Sequence, residues 1–332
     1  MFSDVKAAYE RIKNVVNSTP VMTSATLDKM AGCRCFFKCE NFQRTGSFKF
    51  RGAYNTLSQL SKEQKKRGVI THSSGNHAQA LALAARILGI KAVVVMPEDA
   101  SSAKIRATRN YGARIVTCGS HPEDREKAVE PLIKQFGYVL IHPSNNLNMI
   151  SGAGTAAYEL IKEVSELNYI LCPLGGGGLL SGTSIAAKAL VPSIQVIGVE
   201  PKNADDAYQS LRAGEIVRVS NPDTIADGLR SSLGNHTFEV IKKNVDRVIT
   251  VSEEEIIDAT QLIWERMKLV VEPSGAVSFA GVLSIRRQLR SRRVGVIISG
   301  GNVDTTSFFD AMKQHVDSLE PNTKNPGNES VP

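Results

Sequence analysis

No apolar run in this chain of 332 residues approaches the ~18 that a membrane-crossing helix needs, although 42% of the residues are hydrophobic. That content goes into a core, and the length suits two domains or one large α/β unit. Pairable cysteine is also short. Five thiols (Cys33, Cys35, Cys39, Cys118 and Cys172) are an odd number for a sizeable chain, which argues for reduced thiols over a disulfide framework. Cys33, Cys35 and Cys39 crowd together, yet no second cluster of Cys or His completes a zinc set. The opening Met1-Phe2-Ser3-Asp4-Val5-Lys6 lacks signal- or transit-peptide character, so the expected address is cytoplasmic, with no membrane partner. The net charge of +7 rests on scattered groups such as Lys62, Lys65, Lys66, Arg67 and the arginines from Arg286 to Arg293, without interleaved aromatics. No nucleic-acid module is recognisable there, and the same field suits a small anionic ligand.

What is present is alternation. After a helical pattern at 4–17 and a strand at 34–39, short β-branched runs, polar or glycine-rich turns and amphipathic helices repeat. Val69 to His72 leads into a helix from His77 to Leu88, Ala92 to Met96 into Ala103 to Tyr111, and Arg114 to Thr117 into Glu123 to Phe136. Tyr138 to Ile141 precedes a helix from Gly152 to Val164. A second series has strands at 169–173, 195–199, 247–251 and 294–299, with helices at 179–190, 205–212, 253–267 and 275–289. Such βα order predicts an α/β fold, with mostly parallel sheets wrapped by helices and ligands at the strands' carboxyl ends. Residues 66–145 read as a smaller inserted domain, 1–65 with 146–316 as the larger one, and 317–332 as a disordered tail.

Four stretches carry chemistry. Lys49 lies between Phe48 and Phe50 behind Thr45-Gly46-Ser47; beside apolar rings an amine loses pKa and becomes a nucleophile or base, unless it only snorkels its stem. Gly175-Gly176-Gly177-Gly178 joins a buried strand to a helix at Leu179, so bare amides and a helix N-terminus converge on an anion, as in a phosphate cradle. It has neither dinucleotide-fingerprint spacing nor P-loop Lys-Ser/Thr. His72-Ser73-Ser74-Gly75-Asn76-His77 stands at another strand-to-helix junction, suited to a carboxylate or simply to an N-cap. Ser299-Gly300-Gly301-Asn302 ends the last strand in the same fashion.

Together, in this order, the four stretches resemble the fold type II pyridoxal-phosphate enzymes of the serine/threonine dehydratase family, over about residues 5–310. Within that family, Glu200-Pro201-Lys202-Asn203-Ala204-Asp205-Asp206, Ile225-Ala226-Asp227-Gly228 and the run from Trp264 to Pro273 are similar to its serine-racemising branch. The resemblance implies an enzyme that interconverts L- and D-serine and also dehydrates serine to pyruvate and ammonia. The alternative is dehydration of threo-3-hydroxyaspartate, or racemisation of aspartate, on the same scaffold.

Carried over residue by residue, the resemblance makes Lys49 the cofactor-bearing catalytic lysine and Ser74 the acid/base on the opposite face. Phe48, Asn76, Gly175 to Gly178, Leu179, Gly228, Glu272 and Ser299 hold the cofactor, and Ser73, Ser74, Asn76 and His77 take the substrate carboxylate. Glu200, the Ala204 carbonyl and Asp206 form an all-oxygen site for magnesium, manganese or calcium. Ser24, Thr26, Arg44, Thr45, Gln79, Tyr111, Lys268 and Asn302 carry over part of a site for ATP as activator, in a homodimer. Ala25 departs from the usual second serine there, and Arg44 from lysine. A third departure is the amide-rich Pro143-Ser144-Asn145-Asn146-Leu147-Asn148, expected to border the substrate and to shift preference toward an acidic side chain.

Overall fold

The structure, a computed structural model, describes residues 1–73, 75–98, 100, 102–119, 122–219 and 222–319. Its strands are β1 Val21–Met22, β2 Arg34–Cys39, β3 Val69–His72, β4 Ala92–Pro97, β5 Arg114–Cys118, β6 Val139–Leu140, β7 Tyr169–Pro173, β8 Gln195–Pro201, β9 Arg247–Val251 and β10 Arg293–Ile298. The helices are α1 Phe2–Ile12, α2 Ala25–Ala31, α3 Lys49–Ser58, α4 Lys62–Arg67, α5 Asn76–Ile87, α6 Ser102–Asn110, α7 Pro122–Phe136 and α8 Leu147–Glu163. They continue with α9 Gly178–Leu190, α10 Asp206–Ala213, α11 Asn235–Asn244, α12 Glu253–Met267, α13 Pro273–Ser284 and α14 Thr305–Leu319.

Two sheets result, ordered β1-β2-β10-β7-β8-β9 and β5-β4-β3-β6. Apart from the antiparallel β1–β2 pair, every pairing in them is parallel. The fold class is therefore α/β, with parallel sheets flanked by helices. Parallel strands are covered on both faces and so read as continuous apolar runs; all six residues of β4, Ala-Val-Val-Val-Met-Pro, are buried. In β2 the alternation of side chains sends Cys35 and Phe37 to one core and Phe36 to the other. The core under the four-stranded sheet is not self-contained, since Ile12 of α1 and Phe50, Ala53 and Leu57 of α3 help to fill it. No helix among the described residues is long and apolar enough to cross a membrane.

Four expectations need correction. The first helix stops at Ile12, and the backbone N–H groups of Val15 and Val16 turn back onto the Ile12 carbonyl. Helix α8 starts at Leu147, five residues before the expected Gly152, because the Asn146 side chain accepts from the Asn148 and Met149 amides and caps it. Helix α13 ends at Ser284. Residues 317–319, expected in a disordered tail, complete α14; the rest of that expectation, 320–332, lies outside the described residues.

Helices α3, α8 and α9 approach at backbone distance. A Cβ on Gly152 would lie 2.7 Å from the Arg51 carbonyl oxygen, and one on Gly154 2.7 Å from that of Gly182. Beside this contact sits a buried ion network. Arg51 Nε and Nη2 donate to Glu40 at 2.7 and 2.9 Å, while Nη1 and Nη2 donate to Glu159 at 2.7 and 2.8 Å. Lys38 Nζ meets Glu159 Oε2 at 2.8 Å and donates to the Thr19 carbonyl at 2.6 Å. Arg51, Lys38 and Glu40 have no exposed surface. Removing one member leaves charges buried without a partner, so Arg51→Met should cost about 3 to 5 kcal/mol in urea unfolding. A loss below about 1 kcal/mol, the scale of a surface pair, would show that the network does not hold α3 in place.

Candidate active site

Lys49 opens α3, and its position follows from a strand end. Phe48 N donates to the Ser299 carbonyl at 3.0 Å, and Ser47 forms an isolated antiparallel bridge with Gly300. The first and last of the four sequence stretches thus meet. The amine lies 5.1 Å from the centre of the Phe48 ring and donates to the Pro143 carbonyl at 3.0 Å. Burial lowers its pKa to about 8, with Glu272 pulling the other way. An amine so placed is partly free near neutrality and able to act as a nucleophile or base.

The glycine run follows β7 and feeds α9. Gly177, at φ 80°, is the left-handed N-cap, and α9 begins at Gly178. Side chains are excluded there by close neighbours: a Cβ would lie 2.8 Å from Leu229 Cα at Gly175, 2.5 Å from Ser144 Oγ at Gly176, and 2.7 Å from a Leu233 methyl at Gly177. Bare amides ahead of a helix N-terminus fit a phosphate. Leu179 is buried in the first turn behind them. Gly228, in the turn facing α13, donates its N–H to Ser274 Oγ at 3.0 Å, and buried Ser299 donates to the Ser274 carbonyl at 3.4 Å.

Asn76 and His77 open α5, with Ser73 just before; Ser74 lies outside the described residues. Asn76 Nδ2 donates to Glu272 Oε1 at 2.6 Å, and its Oδ1 accepts from Asn302 Nδ2 at 2.8 Å. Burial and the nearby Asp227 charge raise Glu272 to about 7. His77 is buried with neither ring nitrogen bonded, and burial, Lys49 and His142 hold its pKa well below the usual value. Burial, His72 and Lys49 likewise lower His142 to about 4. This corner gathers groups that disfavour further positive charge, and an incoming carboxylate relieves them. Lys104 of α6 closes one side through an ion pair with Asp227, next to Gly228.

Glu200, near the end of β8, and Asp206, at the start of α10, are both buried. Glu200 accepts from the Ala207 and Tyr208 amides at 3.2 and 2.9 Å. Asp206 Oδ2 has no partner. Burial followed by the Asp206 charge raises Glu200 well above the carboxylate range, and burial raises Asp206 to about 6. Two buried like charges with an orphaned oxygen fit a divalent cation. Among the described residues no third His, Cys, Asp or Glu joins them, so the remaining ligands would be oxygens such as the Ala204 carbonyl or water.

The nucleotide-site candidates come together only in part. Asn302 Nδ2 donates to the Thr45 carbonyl at 2.7 Å, and Thr45, at φ 60°, buries a hydroxyl without a partner. Gln79 is buried one turn along α5 from Asn76, and Tyr111 lies under the Arg86 guanidinium. Ser24 caps α2, whereas Thr26, Arg44 and Lys268 face solvent from separate elements. The amide-rich loop reaches Lys49 through the Pro143 carbonyl, while two of its asparagines turn to the backbone. Asn145 Oδ1 accepts from the His236 amide at 2.9 Å and Asn146 Oδ1 caps α8, so both acceptor oxygens serve helix N-termini. Sequence reasoning missed His142, the Pro143 carbonyl and Lys104; the one available signal was a histidine directly before a Pro-Ser-Asn turn.

Known proteins are similar to this chain in sequence and fold. The family model for pyridoxal-phosphate dependent enzymes matches residues 12–300. A serine racemase of Schizosaccharomyces pombe is 48% identical over 314 residues, 94% of this chain and 97% of the relative. An L-threo-3-hydroxyaspartate ammonia-lyase of Saccharomyces cerevisiae is 48% identical over 308 residues, 92% of this chain and 94% of the relative. The crystal structure of serine racemase from Dictyostelium discoideum superposes with a TM-score of 0.87 at 48% identity, covering 92% of this chain and 99% of that one. With a lysine, a bare phosphate cradle and a strand-end serine joined in one place, and with that match spanning the fold, the chain belongs to the pyridoxal-phosphate dependent enzyme family.

Proposed function

We propose that this protein racemises serine and, as a side reaction, dehydrates L- and D-serine to pyruvate and ammonia. The observation that carries the reading is Lys49, a lysine with a pKa of about 8 held between the Pro143 carbonyl, next to the Ser144 that packs on the tetraglycine cradle, and the end of β10. Pyridoxal phosphate, when bound, supplies the electron sink that makes an amino acid's α-proton acidic. Gly175 to Gly178 and Leu179 would hold its phosphate and Asn76 its ring oxygen. Ser299 would face its ring nitrogen, with Phe48, Gly228 and Glu272 around it. A hydroxyl at that nitrogen, unlike a carboxylate, does not enforce protonation. Ser73, Ser74, Asn76 and His77 would take the substrate carboxylate, using the amides at the start of α5. Lys49 then moves the proton on one face and Ser74 on the other.

A divalent cation at Glu200, Ala204 and Asp206 would order the turn after β8, and ATP at the Thr45–Asn302 side would act as activator in a homodimer. Supporting the dimer, exposed Phe42 and exposed Val270 are brought near each other by the hydrogen bond from Asn41 to the Val270 carbonyl. A second reading, elimination from 3-hydroxyaspartate, is favoured by the yeast relative and by the Lys49–His72–His77–His142 corner, which welcomes anions. Parallel assays of pyruvate, oxaloacetate and D-amino-acid formation from serine, aspartate and 3-hydroxyaspartate decide between them.

Lys49→Ala should abolish racemisation and dehydration together; turnover within about tenfold of the parent, far less than the loss of an essential nucleophile and base, would end the assignment. Ser74→Ala should reduce racemisation by about 10² to 10⁴ while L-serine dehydration survives, because elimination from the L-isomer needs proton removal on the Lys49 face alone. Unchanged racemisation would give that role to another group. Magnesium, calcium or manganese at 100 times its Kd should stabilise the protein by about 2.7 kcal/mol in thermal melts. Glu200→Gln with Asp206→Asn should remove that shift, and a shift that survives both changes would place the cation elsewhere.

A further inference from the structure

The loop that delivers the Pro143 carbonyl to Lys49 is anchored from Pro143 to Asn146, and one imidazole sits at its start. His142 Nδ1 accepts two backbone N–H bonds, from Ser144 at 3.1 Å and Asn145 at 2.9 Å. A ring nitrogen that accepts is unprotonated, so the neutral ring carries its hydrogen on Nε2. The His72 ring stands nearly perpendicular to it, 6.1 Å away from centre to centre. Between the ring and the two amides the chain is forced into a tight turn. Its first carbonyl, Pro143, receives Lys49 Nζ at 3.0 Å. Its next residue, Ser144, is buried and packs against the backbone of Gly176 and Gly178, its Oγ lying where a Cβ on Gly176 would reach. Asn145 then binds the start of α11 and Asn146 caps α8.

We propose that His142 is a positioning residue whose Nδ1, by accepting the Ser144 and Asn145 amides, sets the distance between the reactive lysine and the phosphate cradle. The ring touches neither Lys49 nor the glycines through a hydrogen bond; it acts through the turn. Partly buried amides without an acceptor are unfavourable, so without Nδ1 the turn opens and carries the Pro143 carbonyl and Ser144 with it. A displacement of the order of 1 Å at a reacting group is enough to lower turnover strongly. The inference rests on the reading of Lys49 as the reacting lysine.

The side-chain geometry supplies the test. Asn Oδ1 stands as many bonds from Cα as His Nδ1 and is a good acceptor, whereas Gln Oε1 stands where Nε2 does, and Leu accepts nothing. In the cofactor-loaded enzyme His142→Asn should keep the slow hydrogen exchange of the peptide containing the Ser144 and Asn145 amides. His142→Gln and His142→Leu should speed that exchange about tenfold or more, and should lower kcat about 10- to 100-fold with a much smaller change in KM. If the Gln or Leu variant kept both protection and kcat, or if the Asn variant lost protection while melting at the parent temperature, the proposal would be overturned. Should the Leu variant not fold, the Gln variant, which keeps size and polarity, decides. Exchange is read without turnover, so a failure of Lys49→Ala to abolish activity would sink the reading of Lys49 and leave the His142 measurement standing.

Discussion

A guanidinium with no exposed surface, Arg51, is the point from which the rest of the molecule is built outward. It binds Glu40 beyond the end of β2 and Glu159 near the end of α8, and Lys38 closes the ring through Glu159. Charges taken out of water are costly unless they are paired and fully hydrogen-bonded; here each carboxylate faces two cationic or hydroxyl donors. The geometry therefore tolerates few alternatives. Because Arg51 lies two residues after Lys49 on the same helix, fixing the guanidinium also fixes where the amine emerges.

The glycines extend that constraint. Gly152 and Gly154 on α8 let α3 and α9 come to backbone contact, which brings the start of α9, with its open amides, and the start of α3, with its lysine, to the same end of the molecule. Parallel strands point their carboxyl ends the same way, and helix N-termini follow them. Lys49, Gly178, Asn76 and Pro273 all lie at or next to a helix start. The chemistry gathers where positive helix ends converge, which is where an anionic ligand is best held.

How much of this was legible depends on the range over which each feature is specified. The βα alternation is local, and so are the lysine between aromatics and the glycine run between strand and helix; each was visible as a pattern a few residues long. Helices as short as α4 and α11 carry too few turns for their pattern to stand out from the surrounding loops, and the start of α8 depends on Asn146, a cap that in sequence looks like any other loop amide. Arg51 stood in view beside Lys49, but its partners are 11 and 108 residues away, and nothing in a one-dimensional pattern marks a charge as buried. His142 was hidden for a different reason. Its bonds are to amides two and three residues on, yet a histidine makes such a turn only if its ring is kept neutral, and that depends on His72, Lys49 and the burial around them.

The two ion pairings near the site differ in one respect that has practical weight. Arg51 and Glu40 have no exposed surface and Glu159 only a little, whereas Lys104 and Asp227, which fasten α6 to the turn beside Gly228, both reach water. Mobile ions screen exposed charges within roughly 8 to 10 Å at ordinary ionic strength and leave buried ones nearly untouched. Salt is thus a selective solvent variable for this protein: it loosens the fastening between α6 and the cofactor-side turn while the frame that carries the lysine stays rigid.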